Sequence, residues 1–151
     1  MPWVWKVVQH LTNGGGERDI MTNNGMTPIR LAACNGHKDV VRLLIDVGAG
    51  VDIADSRYGN TPLIGAANNG HADVAILLID AGADVNVVDN DGRTAIWYAA
   101  AKGLLELVKV LLSNGADKSK KDNYGESPFD VACQWDNADC KEKMQQLLKT
   151  D

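Results

Sequence analysis

Apolar residues recur in short helical runs along the chain. The first clear run places aliphatic side chains at Val40, Val41 and Leu44, with charged residues between them. This spacing is typical of a helix that buries one face. Similar runs follow at 74–79 and 107–112, so the pattern returns every 33 or 34 positions. Self-similarity at a fixed period predicts a stack of repeated units and not a single wrapped core.

A second, shorter pattern precedes each of these runs. Thr27-Pro28 is followed by Ala32-Ala33, and this arrangement returns in later periods. Threonine is a favoured N-cap and proline is tolerated at the first helical position, so the motif predicts the start of a helix. Glycines after each apolar stretch predict helix ends. Each period therefore contains two helices joined by tight turns.

The positions that recur in register form three sets. They are Thr27-Pro28, Thr61-Pro62, Thr94-Ala95 and Ser127-Pro128; Gly25, Gly59, Gly92 and Gly125; and Gly48-Ala49, Gly82-Ala83 and Gly115-Ala116. Together they resemble the ankyrin repeat over nearly the whole chain. The resemblance implies an all-α repeat solenoid, in which antiparallel helix pairs stack and β-hairpin loops project. It implies one domain, 1–151, divided into an N-terminal half repeat (1–21), repeat 1 (22–54), repeat 2 (55–88), repeat 3 (89–121) and repeat 4 with a C-terminal cap (122–151).

The two ends depart from the repeat. Residues 4–11 place four apolar side chains on one helical face and align with the second helix of a repeat. Either Trp3 and Trp5 cover the open face of this half repeat, or the array is cut from a longer one. At the other end, residues 134–137 replace the glycine between helices and the last helix is polar, as expected of a cap.

Composition narrows the choice of function. The net charge is −5 with both signs mixed along the chain, which argues against nucleic-acid binding because that needs a concentrated basic face. The longest apolar run, Val74–Ile79, has six residues, against about 20 for a membrane span. The first residues show no signal-peptide cleavage site. We therefore expect neither a nucleic-acid nor a membrane partner.

The cysteines bear on the compartment. Cys34, Cys133 and Cys140 are odd in number, which favours unpaired thiols in a reducing compartment. We expect a cytoplasmic protein, with a nuclear location or delivery into a host cell as alternatives.

The resemblance implies a protein partner, bound by the loop tips and by the concave face of the first helices. Transferred position by position, it selects Arg57, Tyr58, Asn60, Asn90, Asp91, Arg93, Tyr124 and Glu126 at the tips and Asn68, Asn69, Lys102 and Trp135 on the helices. Neighbouring candidates are Asn24, Met26, Ser56, Asn123, Cys34, Asn35, Ala101 and Gln134. Because arginine and aromatic residues are enriched in interface hot spots, we expect anchors at Arg57, Tyr58, Arg93, Tyr124 and Trp135. The alternative is that the tips are polar only because water covers them.

One position departs from the family in every repeat. The histidine that follows Thr-Pro-Leu is replaced by Arg30, Ile64, Trp97 and Asp130. In the family this imidazole tends to hydrogen-bond within and between repeats, so we predict weaker coupling between units and fraying ends. We expect Trp97 to be buried between repeats, whereas its neighbour Tyr98 is a further candidate for partner binding.

No pattern of catalytic or metal-binding residues is found. His37 and His71 occupy equivalent positions after the inter-helix glycine, where the family carries histidine for packing and capping. Cys133 and Cys140 do not form a CxxC pair, and His10 has no zinc-ligand set at suitable spacing. We therefore expect no enzymatic activity, no cofactor and no metal.

Asn86 carries a modification hypothesis. It follows Asp84 by two residues and Leu78 by eight. This resembles the pattern hydroxylated by the asparaginyl hydroxylase that modifies ankyrin domains.

Three hypotheses of function remain. The first is a non-catalytic module that presents a concave groove and loop tips to a partner protein. The second is a targeting or regulatory fragment of a larger enzyme or channel. The third is a structural array that associates with itself through Trp3, Val4 and Trp5.

Overall fold

The computed structural model describes residues 21–134 and 138–149. Helices in these ranges are α1 (Pro28–Cys34), α2 (Lys38–Asp46), α3 (Pro62–Asn68), α4 (Ala72–Asp80), α5 (Ala95–Ala101), α6 (Leu105–Ser113) and α7 (Ala138–Lys149). The first six form three pairs, one for each sequence period. No strand is assigned within the described ranges, where the projecting loops are tight turns. The molecule is the repeat solenoid that the ankyrin resemblance predicts.

The first helix of each pair starts at its threonine. The hydroxyl of Thr27 accepts a hydrogen bond from the backbone N–H of Arg30 at 3.3 Å, and Thr61 and Thr94 cap α3 and α5 in the same way. These bonds satisfy backbone donors that the first turn of a helix leaves free. The helix starts predicted at Thr27, Thr61 and Thr94 are confirmed.

Small residues bring the helices together. α3 packs between α1 and α5, and α4 packs between α2 and α6. Ala66 and Ala67 of α3 are fully buried, as are Leu78 and Leu111 of the second helices. A buried leucine contributes about 1.5–3 kcal/mol. Because its cover comes from the neighbouring pair, stability is shared along the array.

Histidine contributes to this stacking at one position. The imidazole Nε2 of His71 lies 3.1 Å from the backbone oxygen of Cys34 in the preceding repeat. Its side chain makes no cap bond to α4. The expected packing role is therefore confirmed for His71, and the capping role is not.

Repeat 4 lacks the first helix that its Ser127-Pro128 motif predicts. Residues 128–134 form successive turns, and Cys133 has a φ of 53°. The Asp130 carboxylate Oδ2 accepts both the backbone N–H and the hydroxyl of Ser127, at 2.8 and 2.6 Å. The backbone N–H of Cys133 donates to the oxygen of Ala100 at 2.8 Å. The segment thus bonds to repeat 3 instead of completing its own helix, and α7 follows as the polar cap.

The expectation of unpaired cysteines is wrong for two of the three. Cys133 and Cys140 form a disulfide, with their Cα atoms 6.3 Å apart, and Cys34 is free. The bond joins the turns of repeat 4 to the first turn of α7. The compartment stays a prediction.

Several expectations concern residues outside the described ranges. These are the N-terminal half repeat, Trp3, Val4 and Trp5, and Trp135. Within the ranges, Trp97 is 4% exposed, so its predicted burial is confirmed. None of the described helices is long and apolar enough to cross a membrane.

Candidate functional site

A buried aspartate shapes the loop tips of repeats 2, 3 and 4. The Asp122 carboxylate Oδ1 accepts hydrogen bonds from the backbone N–H groups of Tyr124 and Glu126 at 3.0 and 2.9 Å. Asp55 and Asp89 hold the two preceding tips with the same kind of bonds. Burial alone would raise the pKa of Asp122, but the two N–H bonds lower this pKa below its usual value. The Asp122 carboxylate therefore stays charged and holds its turn rigid.

A ladder of asparagines links successive tips. The backbone N–H of Asn90 donates to the oxygen of Tyr58 at 2.9 Å, and its Nδ2 donates to the oxygen of Arg57 at 3.1 Å. Asn123 bonds to the oxygens of Asp91 and Asn90 in the same way. Asn90 was expected to contact a partner, but its amide nitrogen already contributes to the spacing of the tips.

The ladder explains the glycine at the centre of two tips, Gly59 and Gly92. Gly59 has a φ of 70°, and a Cβ atom there would lie 2.6 Å from the Asn90 side-chain oxygen. Glycine is therefore required both by the backbone conformation and by the close approach of the next tip.

Asparagines also end the first helices of repeats 1 and 2. The Nδ2 of Asn35 donates to the oxygen of Leu31, and that of Asn69 donates to the oxygen of Gly65, each at 2.8 Å. The equivalent position in repeat 3 is Lys102, the C-cap of α5. These side chains lie at the edge of the concave face.

Tips and first helices together enclose an open cleft of about 620 Å³. It contains eight of the predicted partner-binding residues, namely Arg57, Tyr58, Asn60, Asn68, Asn69, Asn90, Asp91 and Tyr98. The neighbouring candidates Met26, Cys34 and Asn35 also line it, together with Arg30, Leu31 and Asp89. Sequence reasoning missed these last three as site residues. Arg30 had a signal, because it stands at the family's histidine position.

The other predicted residues lie outside the cleft. They are Arg93, Lys102, Tyr124 and Glu126. Tyr124 is 71% exposed, so it offers a separate aromatic surface at the tip of repeat 4. Trp135 falls outside the described residues.

Arg93 is held by its own neighbours. Its guanidinium carbon lies 4.3 Å from the centre of the Trp97 ring and 5.5 Å from that of Tyr124. Its Nε lies 3.2 Å from the Asp122 carboxylate, and its Nη1 lies 3.4 Å from that of Asp91. These contacts indicate that Arg93 joins repeats 3 and 4 and is not a free anchor.

Two titratable groups in the cleft are kept neutral. Burial, followed by the 2.6 Å hydrogen bond from the Tyr98 hydroxyl to Asp89, raises the pKa of Tyr98 to about 12. Burial also raises the pKa of the Cys34 thiol, although Arg30 nearby opposes the shift. Neither group is activated as a nucleophile at neutral pH. The described residues contain no cluster of three potential metal ligands.

Asn86 lies on a different surface. Its Nδ2 donates to the oxygen of Gly115 at 3.0 Å, and its Oδ1 accepts from the backbone N–H of Asp117 at 2.8 Å. The side chain is exposed and joins the loops of repeats 2 and 3. Its hydroxylation stays a prediction, and unmodified Asn86 in a mass spectrum of protein from its native source would contradict it.

Comparisons with known proteins agree with this architecture. The family model described as "Ankyrin repeats (3 copies)" matches residues 5–89 and 77–150. The B-cell lymphoma 3 protein homolog of Mus musculus is 34% identical over 80% of this chain and 27% of its own length. The tyrosine-protein kinase HTK16 of Hydra vulgaris is 35% identical over 87% of this chain and 13% of its own length. The transient receptor potential cation channel subfamily A member 1 homolog of Caenorhabditis elegans is 30% identical over 70% of this chain and 9% of its own length.

The chain thus spans about a quarter or less of the length of these relatives. The family model, in contrast, covers nearly all of it. The recurring Thr-Pro caps, the stacked helix pairs and this match lead to one conclusion: the chain belongs to the ankyrin-repeat family.

Proposed function

We propose that this chain is a non-catalytic interaction module that binds a partner protein in the cleft between its tips and first helices. Ankyrin repeats generally act as protein–protein interaction modules. The observation that supports this site is the cleft itself, since eight of the predicted residues from three repeats line it.

The anchors of this site are Arg57 and Tyr58. Tyr58 is 50% exposed, and the Arg57 guanidinium lies 5.0 Å from the centre of its ring. A stacked arginine and tyrosine offer a large contact area with little further loss of side-chain freedom. This pair differs from Arg93, whose charge is already bonded to Asp122 and Asp91.

Crosslinking from inside the cleft tests the proposal. Tyr58 is replaced by a photoreactive phenylalanine, and Asp80, exposed on α4 and outside the cleft, is replaced in a matched control. We expect a distinct protein to be captured from position 58 but not from position 80. In pull-downs without the photoreactive residue, we also expect the double variant Arg57→Ala/Tyr58→Ala to lose this protein and Tyr124→Ala to keep it. Equal capture from both positions would refute a cleft-specific partner.

A second candidate function is a targeting or regulatory region of a larger enzyme or channel. The similarity to part of a tyrosine kinase and part of a cation channel supports it. In that case the activity would belong to the rest of the protein, and this region would supply the binding surface. The full-length protein and a version lacking residues 22–149 would then differ in location or regulation while keeping the same catalytic or channel activity.

Self-association remains a third proposal. It rests on the apolar residues Trp3, Val4 and Trp5. Light scattering of the chain with and without residues 1–12 tests it, and a monomer in both cases would remove it.

A further inference from the structure

The buried charges around the cleft are already paired within the protein. Nη2 of Arg30 lies 2.8 Å from Oδ2 of Asp55, and the two side chains are 5% and 1% exposed. Oδ2 of Asp89 accepts the Tyr98 hydroxyl at 2.6 Å. A charged ligand group that reached these buried pairs would lose its hydration and would find no unpaired counter-ion.

The exposed charges lie at the rim. Asp91 faces Arg93 at 3.4 Å. Arg57 lies over the Tyr58 ring, and no ion pair of Arg57 is found in the part of the chain that the structure describes. The wall formed by the first helices, in contrast, contributes amides to the cleft.

Apart from the rim residue Arg57, asparagines offer free hydrogen-bonding groups in the cleft. Because the Nδ2 atoms of Asn35 and Asn69 donate to the carbonyls of Leu31 and Gly65, their oxygens face away from the helices as acceptors. Asn60 lines the same cleft, is 8% exposed, and has a buried Oδ1 without a hydrogen-bond partner. A buried polar atom without a partner is costly, so a ligand gains affinity when the Asn60 side chain turns toward it and accepts a hydrogen bond.

We propose that the cleft binds an extended, uncharged stretch of the partner polypeptide. This rests on the proposed function and names the chemistry of its ligand. Backbone N–H groups and carboxamide side chains of the partner donate to the oxygens of Asn35, Asn60 and Asn69. Tyr58 and Tyr98 provide the apolar contact area on either side. A folded partner would have to present such a stretch as a protruding, unpaired segment.

A peptide series separates this ligand from a charged one. The probe is an acetylated and amidated peptide of alternating glycine and glutamine, with two further versions that carry lysine or glutamate at the centre. Binding is followed through the side-chain amide signals of the asparagines in ¹⁵N-edited NMR spectra. We expect the neutral peptide to shift the signals of Asn35, Asn60 and Asn69 and each charged peptide to bind severalfold more weakly. The proposal is overturned if a charged peptide binds as tightly as the neutral one, or if none of these signals moves.

The chain offers a matched pair of variants. Asn69 and Asn114 both end a helix with an Nδ2 bond of 2.8 Å to the carbonyl four residues earlier, but only Asn69 lines the cleft. We expect Asn69→Ala to weaken binding of the neutral peptide about fivefold, as for the loss of one hydrogen bond, and Asn114→Ala to leave it unchanged. Equal weakening by both would assign the effect to helix stability and overturn the proposal.

The proposed interaction module and its proposed ligand can be refuted separately. If position 58 still captures a protein while the neutral peptide does not bind, the interaction module stands and the extended, uncharged ligand is wrong. If neither is observed, both are wrong.

Discussion

At two junctions between repeats, an arginine forms an ion pair with a buried aspartate. The two arginines are buried to different extents. Between repeats 1 and 2, Arg30 and Asp55 are 5% and 1% exposed and lie 2.8 Å apart. Between repeats 3 and 4, Arg93 and Asp122 are 23% and 0% exposed and lie 3.2 Å apart. The aspartate is buried in both, so the difference lies in the element that supplies the arginine.

Arg30 extends from α1 into the space between two repeats, where its Nε also donates to the backbone oxygen of Asn60 at 3.1 Å. Arg93 belongs to a loop and lies against the ring of Trp97. The middle junction has neither pair, because the equivalent helix position is Ile64 and Asp89 uses the Tyr98 hydroxyl. The aspartate turn recurs in repeats 2, 3 and 4. In each repeat a different neighbouring side chain pairs with the second oxygen of the aspartate.

The contacts of Arg30 change the expectation of weak coupling between repeats. The replacement of histidine was expected to remove hydrogen bonds between repeats. That reason is wrong at Arg30, which bonds to both Asp55 and Asn60 of the next repeat. Weaker coupling stays a prediction for the junction that contains Ile64.

Removing the deeper arginine should have the largest effect. Arg30→Met leaves the Asp55 carboxylate buried without its cation, so we expect a loss of about 3–5 kcal/mol of unfolding free energy. Arg93→Met should cost about 1–2 kcal/mol because its guanidinium is partly solvated. Urea denaturation of both variants measures the difference. Equal losses would show that depth does not set the strength of the junction.

Truncating a leucine tests the interior against the end. Leu111 in α6 is fully buried and Leu148 in the terminal α7 is 5% exposed. We expect Leu111→Ala to cost about 2–5 kcal/mol. Leu148→Ala should cost less, because among the described helices α7 packs mainly against α6 and can open locally. Urea denaturation together with hydrogen exchange checks this, and uniform loss of protection along the chain after Leu148→Ala would contradict it.

Two tip glycines provide a smaller test. Gly59 and Gly125 have φ values of 70° and 84°, but only Gly59 faces the next tip closely, whereas a Cβ at Gly125 meets nothing within 4 Å. The positive φ alone should cost about 1–2 kcal/mol in Gly125→Ala. Gly59→Ala should cost more, because it also displaces the Asn90 amide. The opposite order of melting temperatures would argue against the tip ladder.

The smallest expected effect on stability comes from the hydrogen bond between the Tyr98 hydroxyl and Asp89 in repeat 3. The pKa of Tyr98 is raised to about 12 from about 10 in an unfolded chain. Its contribution to stability is therefore complete below about pH 10 and is lost as the pH rises through about 12. Ultraviolet titration should show one of the three tyrosines ionising late, and Tyr98→Phe should remove that step. Common ionisation of all three near pH 10 would contradict the buried hydrogen bond to Asp89.

The periodic features of the chain were predictable because they depend on neighbouring residues. Thr27 caps α1 through a bond three residues away, and the burial of Trp97 follows from its position in the repeat. Repeat 4 was less predictable. Its Ser127-Pro128 motif has the local features of a helix start. The backbone N–H of Cys133 nevertheless donates to the oxygen of Ala100, and no pattern of neighbouring residues predicts such a contact.

Some features of the candidate site were likewise predictable from the sequence and others were not. Tyr58 and Asn69 follow from their places in the repeat and do line the cleft. Arg93 has an equally suitable residue type, but four surrounding side chains occupy its charge and ring-stacking capacity. Which side chains remain free for a partner depends on pairs some 30 residues apart, such as Arg93 and Asp122.

The sequence by itself determined the repeat, the helix starts of repeats 1 to 3 and the surface on which the candidate binding residues lie, because caps, turns and apolar periodicity act over a few residues. Tertiary structure alone decided that Arg30 forms a buried ion pair, that Cys133 meets Cys140 and that the Asn60 side-chain oxygen is buried without a partner. These contacts join different repeats or irregular segments, where distance along the chain carries no information on distance in space.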